Sequence, residues 1–265
     1  ELQLTLPTGV NFLDRAAPVW LLAAAALVML ILLPMGWLAY ISVTGPRGGF
    51  TLAHYVRVLG DPPLQKALWN TVVLAFWSGL VALAIGAPMA WLSARTDLPG
   101  RRIIQSLIMA SFVTPPFLGA FAWVMLAGPN AGYLNQLYRG LTGAEGPLLN
   151  IFSMPGLIFV VAIYTFPYVY IMIANTLGLI ASDLEDAAAI LGAGRLQVAR
   201  TITLPMVLPA VLSGFILAVL QALALFGSPA ILALPAGFHT VTTQMWSFFQ
   251  YPPRAELAAA FSIPL

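Results

Sequence analysis

Long uncharged apolar runs, separated by short polar stretches, dominate the chain. A helix needs about 20 mostly apolar residues to cross the hydrocarbon core of a bilayer. Five runs reach that length: Pro18 to Val43, Ala67 to Ala94, Ile103 to Ala127, Met154 to Ile180, and Met206 to roughly Phe226. A sixth starts near Leu257 and stops at Leu265, nine residues that reach only about 14 Å as helix. The pattern predicts an all-α polytopic membrane helix bundle with five complete spans and a truncated sixth. Because the chain also begins at Glu1 rather than methionine, it reads as an excised piece of a longer polypeptide. Arg15 ahead of the first run raises the alternative of a signal peptide. That run is longer than the roughly 7–15 residues of a signal core, and no small-residue cleavage pattern follows it.

Composition removes the soluble classes. Hydrophobic residues make up 60% and charged residues 8%, against about 45–50% and about 25% in an ordinary soluble domain. Zero cysteines exclude a disulfide framework, a thiolate metal site and a redox dithiol. A net charge of +2 without a clustered basic face is no nucleic-acid footprint.

Charge placement sets an expected orientation, since Lys and Arg favour the cytoplasmic side. With the amino terminus inside, Arg15, Arg95, Arg101, Arg102, Arg195 and Arg200 are cytoplasmic, and Arg47, Arg57, Lys66, Arg139 and Arg254 lie outside. The counts nearly balance, but the inside set packs three arginines into the turn from Arg95 to Arg102. Pro34, Pro88, Pro115, Pro116, Pro167 and Pro209 fall within spans. Each removes a backbone donor, and together they predict movable or cavity-lining segments, although proline is commoner in membrane helices in general. Trp20, Trp37, Trp69, Trp91 and Trp123 lie mostly near span ends and read as an interfacial belt.

The segment from Ser182 to Pro205 is the most informative. Ser182 and Glu185 have capping-box spacing, and Asp183, Glu185 and Asp186 put negative charge where a helix start favours it. Leu184, Ala187, Ala188 and Leu191 then fall on one face. Gly192 and Gly194 supply the break. A second helical stretch from Arg195 carries Leu196, Ala199 and Ile202, and Pro205 opens the next span. A helix-turn-helix at the cytoplasmic surface follows. Lipid contact or simple solvation would be alternatives, but three acids against two arginines favour docking of a protein.

Asp186-Ala187-Ala188, three residues, Gly192, nine residues, then Ile202-x-Leu204-Pro205 resembles the EAA loop of ABC-transporter inner-membrane permeases of the binding-protein-dependent importers. Asp186 stands where that motif has glutamate, and Glu185 directly precedes it. The resemblance implies a MetI-like permease fold and a bacterial inner-membrane location. It also implies that Glu185, Asp186, Ala187, Ala188, Gly192, Ile202, Leu204 and Pro205 form the loop that couples to an ATPase. Asn70-Thr71, Leu98-Pro99-Gly100-Arg101 and Pro115-Pro116 extend the likeness from about Leu64 onward. Residues 1–63 are thus an amino-terminal region with the first span and a periplasmic loop, and 64–265 the permease domain. Phe226 to Pro235, Thr240, Gln244 and Tyr251 to Pro253 resemble the iron(III) importer permeases and their relatives for thiamine, putrescine and aminoethylphosphonate. Many of those are tandem proteins, of which this chain resembles an amino-terminal half.

The remaining chemistry is sparse. A Walker A loop needs a glycine-framed lysine, and the only lysine, Lys66, sits in Leu64-Gln-Lys-Ala. ATP and Mg would therefore be held by a partner ATPase dimer, with no cofactor in this chain. A periplasmic or lipid-anchored binding protein would deliver cargo, and a second permease half or a homodimer would complete the pathway. No Asp or Glu falls in a full span, and His54 and His239 lie in separate loops, so a fixed metal site is not expected. His239 reads as a loop histidine beside Phe238 or Trp246, with a transient ligand role as the sharper alternative. Neither histidine lies in a span, which removes intramembrane proteolysis. Uncharged polar groups in the spans are pathway candidates, Tyr168, Gln221 and Asn70 first among them, with helix-helix pairing the plainer role. A channel or membrane scaffold is the rival from another class.

Overall fold

The computed structural model describes residues 17–45, 48–180 and 183–263. Among them, four helices are long and apolar enough to cross a membrane: α1 (Ala17–Ser42), α3 (Pro62–Arg95), α7 (Met154–Leu179) and the continuous stretch Arg195–Ala224. The bent pair α4 (Arg101–Val113) and α5 (Pro116–Ala127) makes a fifth if it is one span. Short helices complete the chain: α2 (Ala53–Gly60), α6 (Tyr133–Thr142), α8 (Asp183–Ile190), α9 (Arg195–Val198), α11 (Gly227–Leu232), α12 (Val241–Phe248) and α13 (Ala255–Ser262). The sixth apolar run begins in α13.

The run from Ile103 to Ala127 is not one continuous helix: it turns by 102° between α4 and α5, at two of the prolines expected to disturb the spans. Thr114 (ψ 123°) and Pro115 (ψ 128°) are both extended. Two consecutive prolines withhold two backbone donors, and each pushes the residue before it out of the helical region. Pro34, Pro88, Pro167 and Pro209 lie inside unbroken helices. The proline pattern therefore marks one break rather than several.

The core is a three-helix bundle of α3, α7 and α10 (Leu204–Ala224). Lipid gives apolar side chains no advantage in meeting one another, so membrane helices associate through close packing and polar contacts, and small residues permit both. Glycine occupies each interface. A Cβ on Gly86 of α3 would lie 2.9 Å from the Phe166 carbonyl oxygen of α7, one on Gly214 of α10 2.9 Å from the Val169 Cα, and one on Gly79 of α3 2.7 Å from Val219 of α10. Ser78 Oγ donates to the Ile158 carbonyl at 3.4 Å, and Ser93 Oγ pairs with the Tyr170 hydroxyl at 3.0 Å. These contacts order α3 and α7 in parallel, with α10 antiparallel to both.

α1 is peripheral. Only Ser42 at its end is buried, bonded to the Tyr55 hydroxyl of α2 at 2.8 Å. Trp20, Trp37 and Trp69 are exposed, and Trp123 packs edge-on against Phe159 with ring centroids 4.8 Å apart.

Candidate functional site: the hairpin between α7 and α10

Asp183, Glu185 and Asp186 open α8. Ser182, the expected cap, lies outside the described residues. The helix stops in a Schellman arrangement: the Ala193 amide donates to the Ala188 carbonyl at 3.0 Å and the Gly192 amide to the Ala189 carbonyl at 3.0 Å. Gly192 takes φ +86°, with nothing within 4 Å of the Cβ it lacks. Glycine is required there by backbone conformation rather than space.

The second arm departs from the expected separate helix. α9 passes through a π-helical turn, Ala199–Thr203, directly into α10. The Leu204 amide reaches back to the Ala199 carbonyl, and Pro205, which lacks an amide, follows. A widened turn accommodates the proline ring, whose clash with the preceding turn would otherwise kink the helix. Ile202, Leu204 and Pro205 thus form the rigid root joining hairpin to span.

Glu185 faces the protein. Arg95 Nε at the end of α3 donates to Glu185 Oε1 at 3.2 Å, and Thr203 Oγ1 donates to the same oxygen at 2.6 Å. The Arg95 guanidinium also donates to the Ile180 carbonyl at 3.2 Å. One carboxylate therefore ties α8 to α3 and to the base of α10, joining residues 90 and 18 positions away. Sequence reasoning missed this tie, because nothing local pairs Arg95 with Glu185. Asp186 and Ala187 are exposed, and Ala188 is half-buried. Leu184, Ile190 and Leu191 are exposed, the last two at 86% and 88%. The hairpin thus carries an apolar outer tip over an inward ionic tether. A cleft of about 600 Å³ lies beneath it, between Trp91, Arg95, Glu185 and Arg195.

The three leading pathway candidates do not converge. Asn70 Nδ2 donates to the His239 carbonyl at 2.9 Å, pinning the turn before α12 to α3. Tyr168 is half-buried against Phe112, with ring centroids 5.0 Å apart. Gln221 is exposed on α10. Asn135, which sequence reasoning passed over, is fully buried and clamps the α5–α6 turn. It donates to the Gly128 carbonyl at 2.9 Å and the Leu149 carbonyl at 2.8 Å, and accepts from the Leu149 amide at 2.9 Å.

The described residues form a multi-pass helical bundle with a protruding hairpin at one end. The chain belongs to the family described as the binding-protein-dependent transport system inner membrane component, matched over residues 82–265. Its location is the bacterial inner membrane. It is 30% identical over 207 residues to the sulfate transport system permease CysW of Escherichia coli K12, covering 77% of this chain and 66% of that one. It is also 30% identical over 210 residues to the molybdenum transport system permease ModB of the same strain, covering 78% and 88%. A bacterial ABC transporter involved in alginate import has the same fold, with TM-score 0.73 over 94% of this chain and 90% of that one at 20% identity. These two relatives are named for sulfate and molybdenum rather than for iron(III).

Proposed function

We propose that this chain is the membrane-spanning permease subunit of an ATP-driven importer, with the α8 hairpin as its coupling element on the cytoplasmic side. The observation that carries this reading is the division of labour within α8. Glu185 holds the helix to α3 and the π turn, while Ala187, Asp186 and Leu191 are turned outward. Asp186, Ala187, Ala188 and Gly192 would meet a groove on the ATP-hydrolysing partner. ATP and Mg belong to that partner. Glu185 and the root residues Ile202, Leu204 and Pro205 would pass its movement to α3 and α10.

A binding protein outside the membrane would deliver cargo, and a second permease half, from another copy or another chain, would complete the pathway. The exposed α1 supports residues 1–63 as a leading region beside a permease core from residue 64. The cargo we favour is a small tetrahedral oxyanion, because the named relatives at 30% identity are sulfate and molybdenum permeases. Iron(III) is the second reading, resting on the resemblance of the 226–253 segment.

Replacing Gly192 with Trp tests the coupling role in reconstituted transporter. Forcing a side chain into φ +86° costs about 1–2 kcal/mol and places bulk at the docking tip. Loss of ATP-dependent uptake with an assembled bundle is expected. Full uptake in Gly192→Trp would remove the assignment, and labelled sulfate, molybdate and ferric ion in the same vesicles separate the cargo readings.

A further inference from the structure

We infer that the cleft between the start of α3 and the turn before α12 is an oxyanion subsite at the end of the bundle opposite the hairpin. This inference rests on the oxyanion reading above. The cleft holds about 370 Å³. It accommodates a tetrahedral oxyanion together with part of its hydration shell.

Its lining is chemically one-sided. Lys66, the only lysine of the chain, lines it together with Asn70 and Pro62 of α3 and with His239 and Gln244, and no carboxylate lines it. Lys66 is exposed. The one ion pair among the described residues is Arg95–Glu185, so no described carboxylate lies within 4.0 Å of the Lys66 ammonium. His239 Nδ1 is buried without a hydrogen-bond partner. A neutral imidazole tolerates that best with the lone pair on Nδ1 and the proton on Nε2, which leaves Nε2–H as a donor. Gln244 Nε2 spends one hydrogen on Ser247 Oγ at 2.9 Å and keeps its second. Ammonium, imidazole N–H and amide N–H together make a donor set for an anion, and the lysine opposes a ferric cation.

The walls are held in place before any ligand arrives. Asn70 Nδ2 donates to the His239 carbonyl at 2.9 Å, and the Val241 amide donates to Thr71 Oγ1 at 2.8 Å. The Thr240 side chain caps α12 and exchanges hydrogen bonds with Thr243. Fixed walls make an anion contact cheaper, because little ordering remains to be done on binding. From Lys66 to Arg95, α3 spans about 43 Å at 1.5 Å per residue. One rigid helix therefore connects the subsite to the tether of the hairpin.

Proteoliposomes containing the whole transporter, with its ATPase and binding protein, provide the test. Uptake of labelled sulfate and molybdate at saturating loaded binding protein is compared in wild type, Lys66→Gln, Lys66→Arg and His239→Phe. Docking of the empty and loaded binding protein is measured beside it. We expect wild type to accumulate one of the oxyanions, and Lys66→Gln to reduce the maximal rate roughly tenfold, as for one charge-assisted hydrogen bond. His239→Phe should reduce it several-fold, and Lys66→Arg should stay within about twofold of wild type. Wild-type rates in both Lys66→Gln and His239→Phe would overturn the subsite while leaving the oxyanion cargo intact, and equal losses in Lys66→Gln and Lys66→Arg would overturn it too. Weakened docking of the empty binding protein in Lys66→Gln would assign the lysine to a carboxylate of that protein instead. Ferric uptake by wild type without oxyanion uptake would overturn the cargo reading, and the subsite with it.

Discussion

Neutralising Glu185 tests whether the hairpin is a tethered lever or a loose loop. Glu185→Gln keeps the side-chain size and removes the charge that Arg95 and Thr203 share. Arg95 and Glu185 are 15% and 18% exposed. That lies between a solvated pair, worth about 0–1 kcal/mol, and a fully buried one, where losing a partner costs about 3–5 kcal/mol. An intermediate cost of about 1.5 kcal/mol corresponds to roughly a tenfold shift toward the released hairpin. Amide hydrogen exchange over residues 187–193, in lipid nanodiscs, reads that opening directly. Exchange should accelerate about tenfold in Glu185→Gln and in Arg95→Met, and the double variant should be no faster than either single one, because both remove the same contact. Wild-type exchange in the single variants, or additive acceleration in the double, would refute the tether.

Three further variants probe the bundle that carries it. Gly86→Leu should lower the melting temperature in detergent by several degrees, since its Cβ meets the Phe166 carbonyl oxygen at 2.9 Å and overpacking costs about 1–3 kcal/mol. Gly36→Ala on α1, with nothing within 4 Å, should leave the temperature unchanged or raise it. Asn135→Ala should cost about 2–3 kcal/mol, because it leaves the Gly128 and Leu149 carbonyls and the Leu149 amide short of partners. Calorimetry against wild type checks the magnitude.

The spans were legible because lipid imposes a length and an apolarity that a sequence displays directly. α1, α3, α7 and α10 begin and end within a few residues of the apolar runs that announced them. The prolines were legible as possible breaks, but not which of them would bend the chain. Pro115-Pro116 turns the chain by 102°, while Pro167 sits in an unbroken α7. The difference lies in having two prolines in succession rather than one. Gly192 was readable from its spacing and proved to need a positive φ. Glu185 was read as a capping-box acid within the coupling loop, and its partner Arg95 is 90 residues away. Gly79, Gly86 and Gly214 gave no local signal, since a glycine in a membrane helix shows its role only when the neighbouring helix is known.

Side-specific thiol labelling tests the central claim most directly, and the absence of cysteine from the chain makes it clean. A single cysteine replacing Leu191, 88% exposed at the hairpin tip, is treated with a membrane-impermeant thiol reagent in right-side-out and inverted vesicles, with and without the ATPase subunit. The coupling role predicts labelling only from the cytoplasmic face, suppressed when the ATPase subunit is bound. Labelling from the outer face, or cytoplasmic labelling that the ATPase subunit leaves unchanged, would contradict it.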